Sequence, residues 1–368
     1  MVTDPLSPET DASAVTQGML ADLWRRRLDT LISGIANSDP YYQQIANAAE
    51  HISAEYQGRF LIELIQNAND QAVRAGLLES LVTITRAEGL IAVGNSGQPF
   101  DQTKIDAITS IFKSDKTADE CIGNKGIGFK AVFQIANSAE IFSSSPGGSL
   151  ADGCATAFRM VRRPFDETGF VVEMREVAVK LLERYVERRQ AIEDLFPGET
   201  AEDVVLREAG RAAWFTFPLP LTSEQFRSRV SHFGLSATVL SATQTLIVLP
   251  HDNADKTSDR VSRAIDEIMG NDGHSANAPP AASFLFLPGI NRITVADFVR
   301  GFQAELEKKE TCQKEDLGDG VILHRQQTSC RRFDLDKPDT TSVSRSQEWW
   351  VVERITLCAN VSETLPTP

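Results

Sequence analysis

The stretch Leu61–Ala72, LIELIQNANDQA, constrains this chain more than any other segment. Leu61, Leu64, Ile65, Ala68 and Ala72 recur at helical spacing, and Glu63, Asn67 and Asp70 fall at i, i+4 and i+7 on the opposite side. A helix written this way must bury one face against a core while it presents a carboxylate–amide–carboxylate row on the other. Ordinary surface helices also carry polar residues outward, so the row gains meaning from its company. Its chemistry suits a phosphate site. Mg²⁺ keeps most of its waters and phosphate oxygens, so the amide oxygen of Asn67 is a sufficient protein ligand. Glu63, one turn earlier, can polarise a water for attack on a metal-bound phosphate.

The company is a glycine-rich loop. Gly123-Asn124-Lys125-Gly126-Ile127-Gly128 fits G-x-x-G-x-G and runs straight into the apolar stretch Phe129–Ile135, which reads as a helix starting near Gly126. Glycines let backbone N–H groups approach oxyanions closely, and a helix N-terminus adds its dipole. Simple turns use glycine triplets too. No Gly-Lys-Ser/Thr follows, so the loop is not a Walker A, and the charged segment before it argues against a dinucleotide fingerprint. Lys113, Lys116, Lys125 and Lys130 make 113–130 less acidic than the chain as a whole, although Asp115, Asp119 and Glu120 dilute the effect.

The net charge of −14 disfavours non-specific nucleic-acid binding. Hydrophobic content of 42% and charged content of 24% fit an ordinary soluble core. The five cysteines are scattered without a CxxC pair, which suggests neither zinc nor a disulfide framework and fits a reducing cytoplasm. No secretory signal pattern or membrane-length apolar run is seen. The five histidines show no ligand or triad spacing, Trp349-Trp350 reads as strand core, and Arg25–Arg27 reads as a solvated helix face.

Along the chain, 1–13 reads as a disordered leader, 14–49 as helix broken near Ser38-Asp39-Pro40, and 54–75 as the helix of the polar row. Leu81–Thr85 and Leu90–Gly94 form a hairpin, 104–112 a short helix, and 139–143 a strand. A charged helical stretch at about 174–210 reads as a solvated insertion or an arm for a partner. Strands are expected at 214–219 and 245–249, closing a first domain over 14–250. A helix at 258–269 and a Gly/Asn/Ala/Pro linker fill 251–282. A second, partial α/β region from 283 to 368 is expected to hold strands at 284–295, 320–324 and 348–355, with a helix near 295–309.

The two motifs in this order resemble the Bergerat-fold ATPases: the ninety-kilodalton heat-shock chaperones, gyrase B subunits, MutL and sensor histidine kinases. The wording is most similar to the sacsin and NO VEIN-like branch, through ELIQNAND, VGNSGQPF, SIFKSDKT and GNKGIGFKAVF within residues 55–143. Looser likeness follows at AWFTFPLP and FLFLPGINRITV. The resemblance implies an α/β (α+β) two-layer sandwich, with a mixed, mainly antiparallel sheet and helices on one face. It implies ATP and Mg²⁺ as cofactors, with Glu63 as general base, Asn67 on the metal and Asp70 near the nucleotide. Asn95 falls where relatives carry an adenine-reading Asp, and Gly97 admits the ring. Ser114 and Lys116 belong to a lid, and Gly123, Asn124, Lys125, Gly126, Ile127, Gly128 and Phe129 wrap the phosphates.

Two departures weaken the implied site. Asn95 is neutral, which removes a charge-assisted contact, and Ala213 falls roughly where relatives place a hydroxyl of the adenine network, with Thr216 close by. The expected function is Mg²⁺-dependent ATP binding with slow hydrolysis to ADP and phosphate. Lid closure would then drive a conformational or dimerisation switch in a chaperone-like or defence-associated protein, with a protein partner or homodimer and no membrane. The alternative is a non-hydrolysing nucleotide-sensing scaffold that binds a protein partner. A histidine kinase is disfavoured because no His-bearing dimerisation helix precedes the ATPase region, and a topoisomerase subunit by the acidic balance.

Overall fold

The computed structural model describes residues 12–39, 43–47, 58–77, 80–110, 128–213, 215–252, 254–270, 284, 287–318, 321–335 and 337–354. The expected leader, apart from its last two residues, and the linker at 271–282 lie outside them.

A ten-stranded sheet organises the chain, in the order β10-β9-β8-β7-β1-β2-β6-β3-β4-β5. The strands are β1 (Leu81–Ala87), β2 (Leu90–Asn95), β3 (Ser138–Ser143), β4 (Thr156–Val161), β5 (Leu219–Pro220), β6 (Thr245–Pro250), β7 (Arg292–Asp297), β8 (Phe302–Gly318), β9 (Val321–Asp334) and β10 (Lys337–Arg354). Every neighbouring pair is antiparallel except β1 with β7. The sheet is therefore mixed and mainly antiparallel, as expected. The hairpin β1–β2 closes Ala87 against Leu90 across Glu88-Gly89, where Gly89 takes φ 70.

Alternation along the strands sorts the two faces. Val82, Ile84, Ile91, Val93, Ile141, Ile247, Leu249, Ile293 and Val295 join the larger core with the helices α1 (Ala12–Ala36), α2 (Phe60–Arg74), α4 (Thr168–Arg184), α6 (Ala201–Gly210) and α9 (Asp255–Met269). Between α2 and α4 comes α3 (Gln102–Ile108), started by Asp101, whose side chain accepts from Lys104 N. The short α5 (Val186–Leu195) follows α4. Leu90, Ala92, Phe142, Ala157, Leu246 and Val248 face a smaller core on the reverse side. There α7 (Ser223–Phe233) and α8 (Ala237–Ser241) cap the sheet with Phe226, Phe233 and Leu240. The sandwich thus has its main helical layer on one face, with a small helical cap added behind. A capping box between Thr222 and Gln225 and a left-handed Gly234 fix the ends of α7, and Arg229 grips Glu140 of β3 through two 2.7 Å bonds.

Several expectations are corrected. The helical stretch at 174–210 is helical, but it is no solvated arm: Phe170, Met174, Ala178, Leu182, Val204 and Val205 are buried in the main core. The expected strand at 214–219 shrinks to Leu219–Pro220. Within the described residues Phe215 and Phe217 are core residues on a turn, and Pro218 O accepts from Trp24 Nε1 at 2.8 Å. The apolar stretch after Gly126 is a 3₁₀ helix, Gly128–Gln134. The strand expected at 284–295 is confined to Arg292–Asp297 among the described residues.

The helix expected near 295–309 is a β-hairpin, β7 to β8, turning at Gly301 with φ 71. Its Ala304, Leu306 and Lys308 are buried and alternate with Glu305 and Glu307, so period-two pairing overrides the helix propensity of AELEKKE. Through β7 on β1, the strands after residue 283 continue the same sheet and share its main core.

Candidate functional site

The polar row lies on α2, whose apolar side (Phe60, Leu61, Leu64, Ile65, Ala68, Ala72) is buried as the pattern requires. Glu63 and Asn67 sit at the margin of that burial. The Glu63 side chain is 12% exposed, with Arg59 Nη2 3.9 Å from its carboxylate. Asp70 departs from the expected open row. It is 1% exposed, and its Oδ1 lies 3.4 Å from Asn69 Nδ2.

The glycine loop reaches this row at its last residue. A Cβ on Gly128 would meet the Glu63 carboxylate, 2.9 Å from its Cδ. The end of the loop and the candidate general base are therefore in van der Waals contact. Phe129 follows as a buried core residue. Ser114, Lys116, Gly123, Asn124, Lys125, Gly126 and Ile127 lie outside the described residues.

A second contact joins α2 to the turn after β2. Asn95 ends β2, is buried, and accepts the Gly97 N–H on Oδ1 at 3.1 Å. At Gly97 a Cβ would lie 2.5 Å from Gln71 Cβ and 3.2 Å from the Gln71 backbone carbon, so only glycine allows this approach to α2. Gln71 Oε1 is buried with no hydrogen-bond partner among the described residues. Directly across from Asn95 in β6 is Thr245, 2% exposed, with Oγ1 3.2 Å from Ser143 Oγ. Glu63, Asn95, Gly97 and Gly128 thus gather around one helix, and Asn67 lies on it between them.

Ala213 and Thr216 are not part of this group. They line a separate cavity beside α1 with Arg27, and neither Asn67 nor Asn95 lines it. The buried hydroxyl next to Asn95 is Thr245, which the sequence pattern does not single out, because a β-ladder register is needed to see it. Gln71 was equally hidden, since its position in the motif says nothing about its closeness to Gly97.

Asn69 is another residue the pattern leaves silent. Its Oδ1 accepts the Gly289 N–H at 2.8 Å, and Gly289 packs on Asn69 O and Ala72 of α2. Ser80 Oγ in turn donates to Gly289 O, and buried Lys308 donates to Leu287 O at 2.6 Å. The turn before β7 therefore latches the helix that carries the polar row. Lys130, two residues after Gly128, is 1% exposed with Nζ 4.7 Å from the Phe215 ring centre. Burial, and then the nearby Arg27 guanidinium, push its pKa down to about 7.

The expectation that Gly97 admits a ring is corrected: the space beside it is filled by Gln71 of α2. The other residues present fit a nucleotide and a metal ion in kind, since a carboxylate and an amide lie one helical turn apart and Gln71 Oε1 is a buried acceptor beside them. Among the described residues no helix is long and apolar enough to cross a membrane.

No protein-family profile matches the chain. Over 107 residues, 28% of its length, it is 30% identical to Protein NO VEIN of Arabidopsis thaliana. That stretch amounts to 4% of the plant protein. The chain has a local similarity to Protein NO VEIN.

Proposed function

We propose that this chain binds ATP with Mg²⁺ and hydrolyses it slowly to ADP and phosphate, as a Bergerat-type ATPase of the sacsin and NO VEIN-like kind. The observation that supports this reading most is the contact between Glu63 and Gly128, because a carboxylate seated at the mouth of a phosphate-binding loop is where a general base has to be. In this reading Asn95 and Gln71 accept from the base amino group, Gly97 lets their turn pack closely on α2, and Thr245 supports Asn95 from the neighbouring strand. Asn67 would hold the metal, which supplies charge neutralisation at the phosphates. Glu63 orients and deprotonates the attacking water, and Gly128 leaves its carboxylate room to do so.

The neutral Asn95 favours a second reading, a nucleotide-sensing scaffold without turnover. Retention of Glu63 favours hydrolysis, since a pure binder has no use for a base. Coupling of nucleotide binding to a conformational or dimerisation switch, and a chaperone-like or defence-associated setting, belong to the proposal by analogy with the family.

Calorimetric titration with ATP, first with Mg²⁺ and then with EDTA, tests binding. Steady-state phosphate release by wild type and Glu63→Ala tests chemistry. Saturable, magnesium-dependent binding that survives Glu63→Ala, with turnover lost, is expected. Binding without turnover in the wild type would establish the scaffold instead, and no binding at all would remove both readings.

A further inference from the structure

A cavity of about 550 Å³ lies between α1, the end of α3 and the turn around Phe215, and Glu63, Asn67, Asn95 and Gly97 are not among its described lining residues. Its size falls within the range of small-molecule sites. One wall is apolar, built from Leu31, Ala213, Phe215 and Phe217. Another wall is Arg27, which is partly buried.

Among the described residues the hydrogen-bond partners of Arg27 are neutral oxygens. Nη1 donates to Thr109 O and to Thr216 O, and Nη2 donates to Thr109 Oγ1 (2.9 Å) and Ser110 Oγ (3.0 Å). These bonds fix the group in place without neutralising it. Asp106, whose charge acts on it, is already engaged by Arg26 through two bonds of 3.1 and 3.2 Å. Lys130 stands behind Phe215, where burial and the Arg27 guanidinium push its pKa down to about 7, so the positive charge of this wall is that of Arg27. Asp39, with Asn37, Ser33 and Thr30, brings the one carboxylate among the described lining residues. A partly open space with a fixed guanidinium at one end and an apolar wall along its side disfavours a further cation and favours a negative charge at the Arg27 end.

We propose that this cavity is a binding site for an amphipathic anion, an apolar chain or ring lying on Leu31, Ala213, Phe215 and Phe217 with its acidic group at the Arg27 wall. The acid is a carboxylate or a phosphate monoester, both of which meet the same positive field. Nothing in this site requires nucleotide, so it stands whether or not the chain binds ATP.

The test is calorimetric titration of the purified chain with decanoate, decyl phosphate and decanol, each kept below self-association. It uses wild type, Arg27→Met and the cavity-filling Ala212→Phe. One saturable site for at least one acid is expected, with decanol weaker by roughly tenfold or more, the size of a contact to a charged group. Arg27→Met should bring the acid down to the level of decanol, and Ala212→Phe should abolish binding of all three. Equal binding of decanol and both acids overturns the anionic assignment. Binding that survives Ala212→Phe in a chain with a native circular-dichroism melt overturns the location, and no saturable binding of any probe overturns the site itself. Because Arg27 also ties α1 to Thr109 and Thr216, Arg27→Met could unfold. The comparison of acids with decanol in wild type and Ala212→Phe then decides the matter alone.

Discussion

Of the three glycines packed on α2, Gly97 and Gly128 differ in what a methyl group would strike. At Gly97 it meets Gln71 Cβ and helix backbone, neither of which can swing aside. At Gly128 it meets the far end of the Glu63 side chain, which can rotate away. Gly97→Ala is therefore expected to cost about 1–3 kcal/mol of stability, read from a denaturant midpoint. Gly128→Ala should stay within about 0.5 kcal/mol while it lowers turnover by displacing the carboxylate. Equal loss of stability in both variants would refute this distinction.

Lys130 makes a further prediction at the same scale. Its pKa is pushed down to about 7 in the folded chain from 10.5. Between those values the unfolded chain holds a proton that the folded chain has shed, so stability rises with pH across the window. Lys130→Met should raise stability at about pH 7 and flatten its rise toward about pH 9. That range stops short of the one where Cys154, its thiol pushed up to about 12 by burial, acts in the opposite direction. Urea midpoints at the two pH values check this, and an unchanged slope would show that Lys130 is not the group responsible.

At the scale of elements, α2 is held from three sides: the 3₁₀ helix at Gly128, the turn at Gly97 and the turn at Gly289. The last depends on one side chain. Asn69→Ala leaves the buried Gly289 N–H without its acceptor, which should cost about 1–3 kcal/mol and speed amide exchange across 287–291. If exchange there is unchanged, the latch is incidental. The hydrophobic period of α2 was legible in LIELIQNANDQA, and so was the β1–β2 hairpin. The β7–β8 hairpin was not legible as strand, because Ala, Glu, Leu and Lys favour helix in isolation, and only the flanking strands β1 and β9 supply the pairing that reverses the choice.

For the whole molecule, the decisive feature is the parallel pairing of β7 with β1, sealed by Arg86. This arginine is 1% exposed, donates to Asp297 at 3.3 Å and to Ser258 and Ser262 of α9, and ties the first strand to the last part of the chain. A chain ending at Pro250 would lose β7, α9 and the Gly289 latch together and leave Arg86 without its partners. It is expected to show no cooperative thermal transition by circular dichroism. A sharp transition in that shortened chain would mean that the first part folds on its own.

The sequence by itself determined the amphipathic α2, the β1–β2 hairpin and the candidacy of Glu63, Asn67 and the glycine loop, because each is written in local periodicity or spacing, while the α+β sandwich and the candidacy of Asn95 came from the resemblance its motifs carry. Only the tertiary structure decided that Glu63 touches Gly128, that Asp70 is buried, that Thr245 and Gln71 flank the Asn95–Gly97 turn, and that Ala213 belongs to a different cavity. Those facts depend on strand register and on packing between segments far apart in the chain, where burial and pairing outweigh the local preferences that a sequence displays.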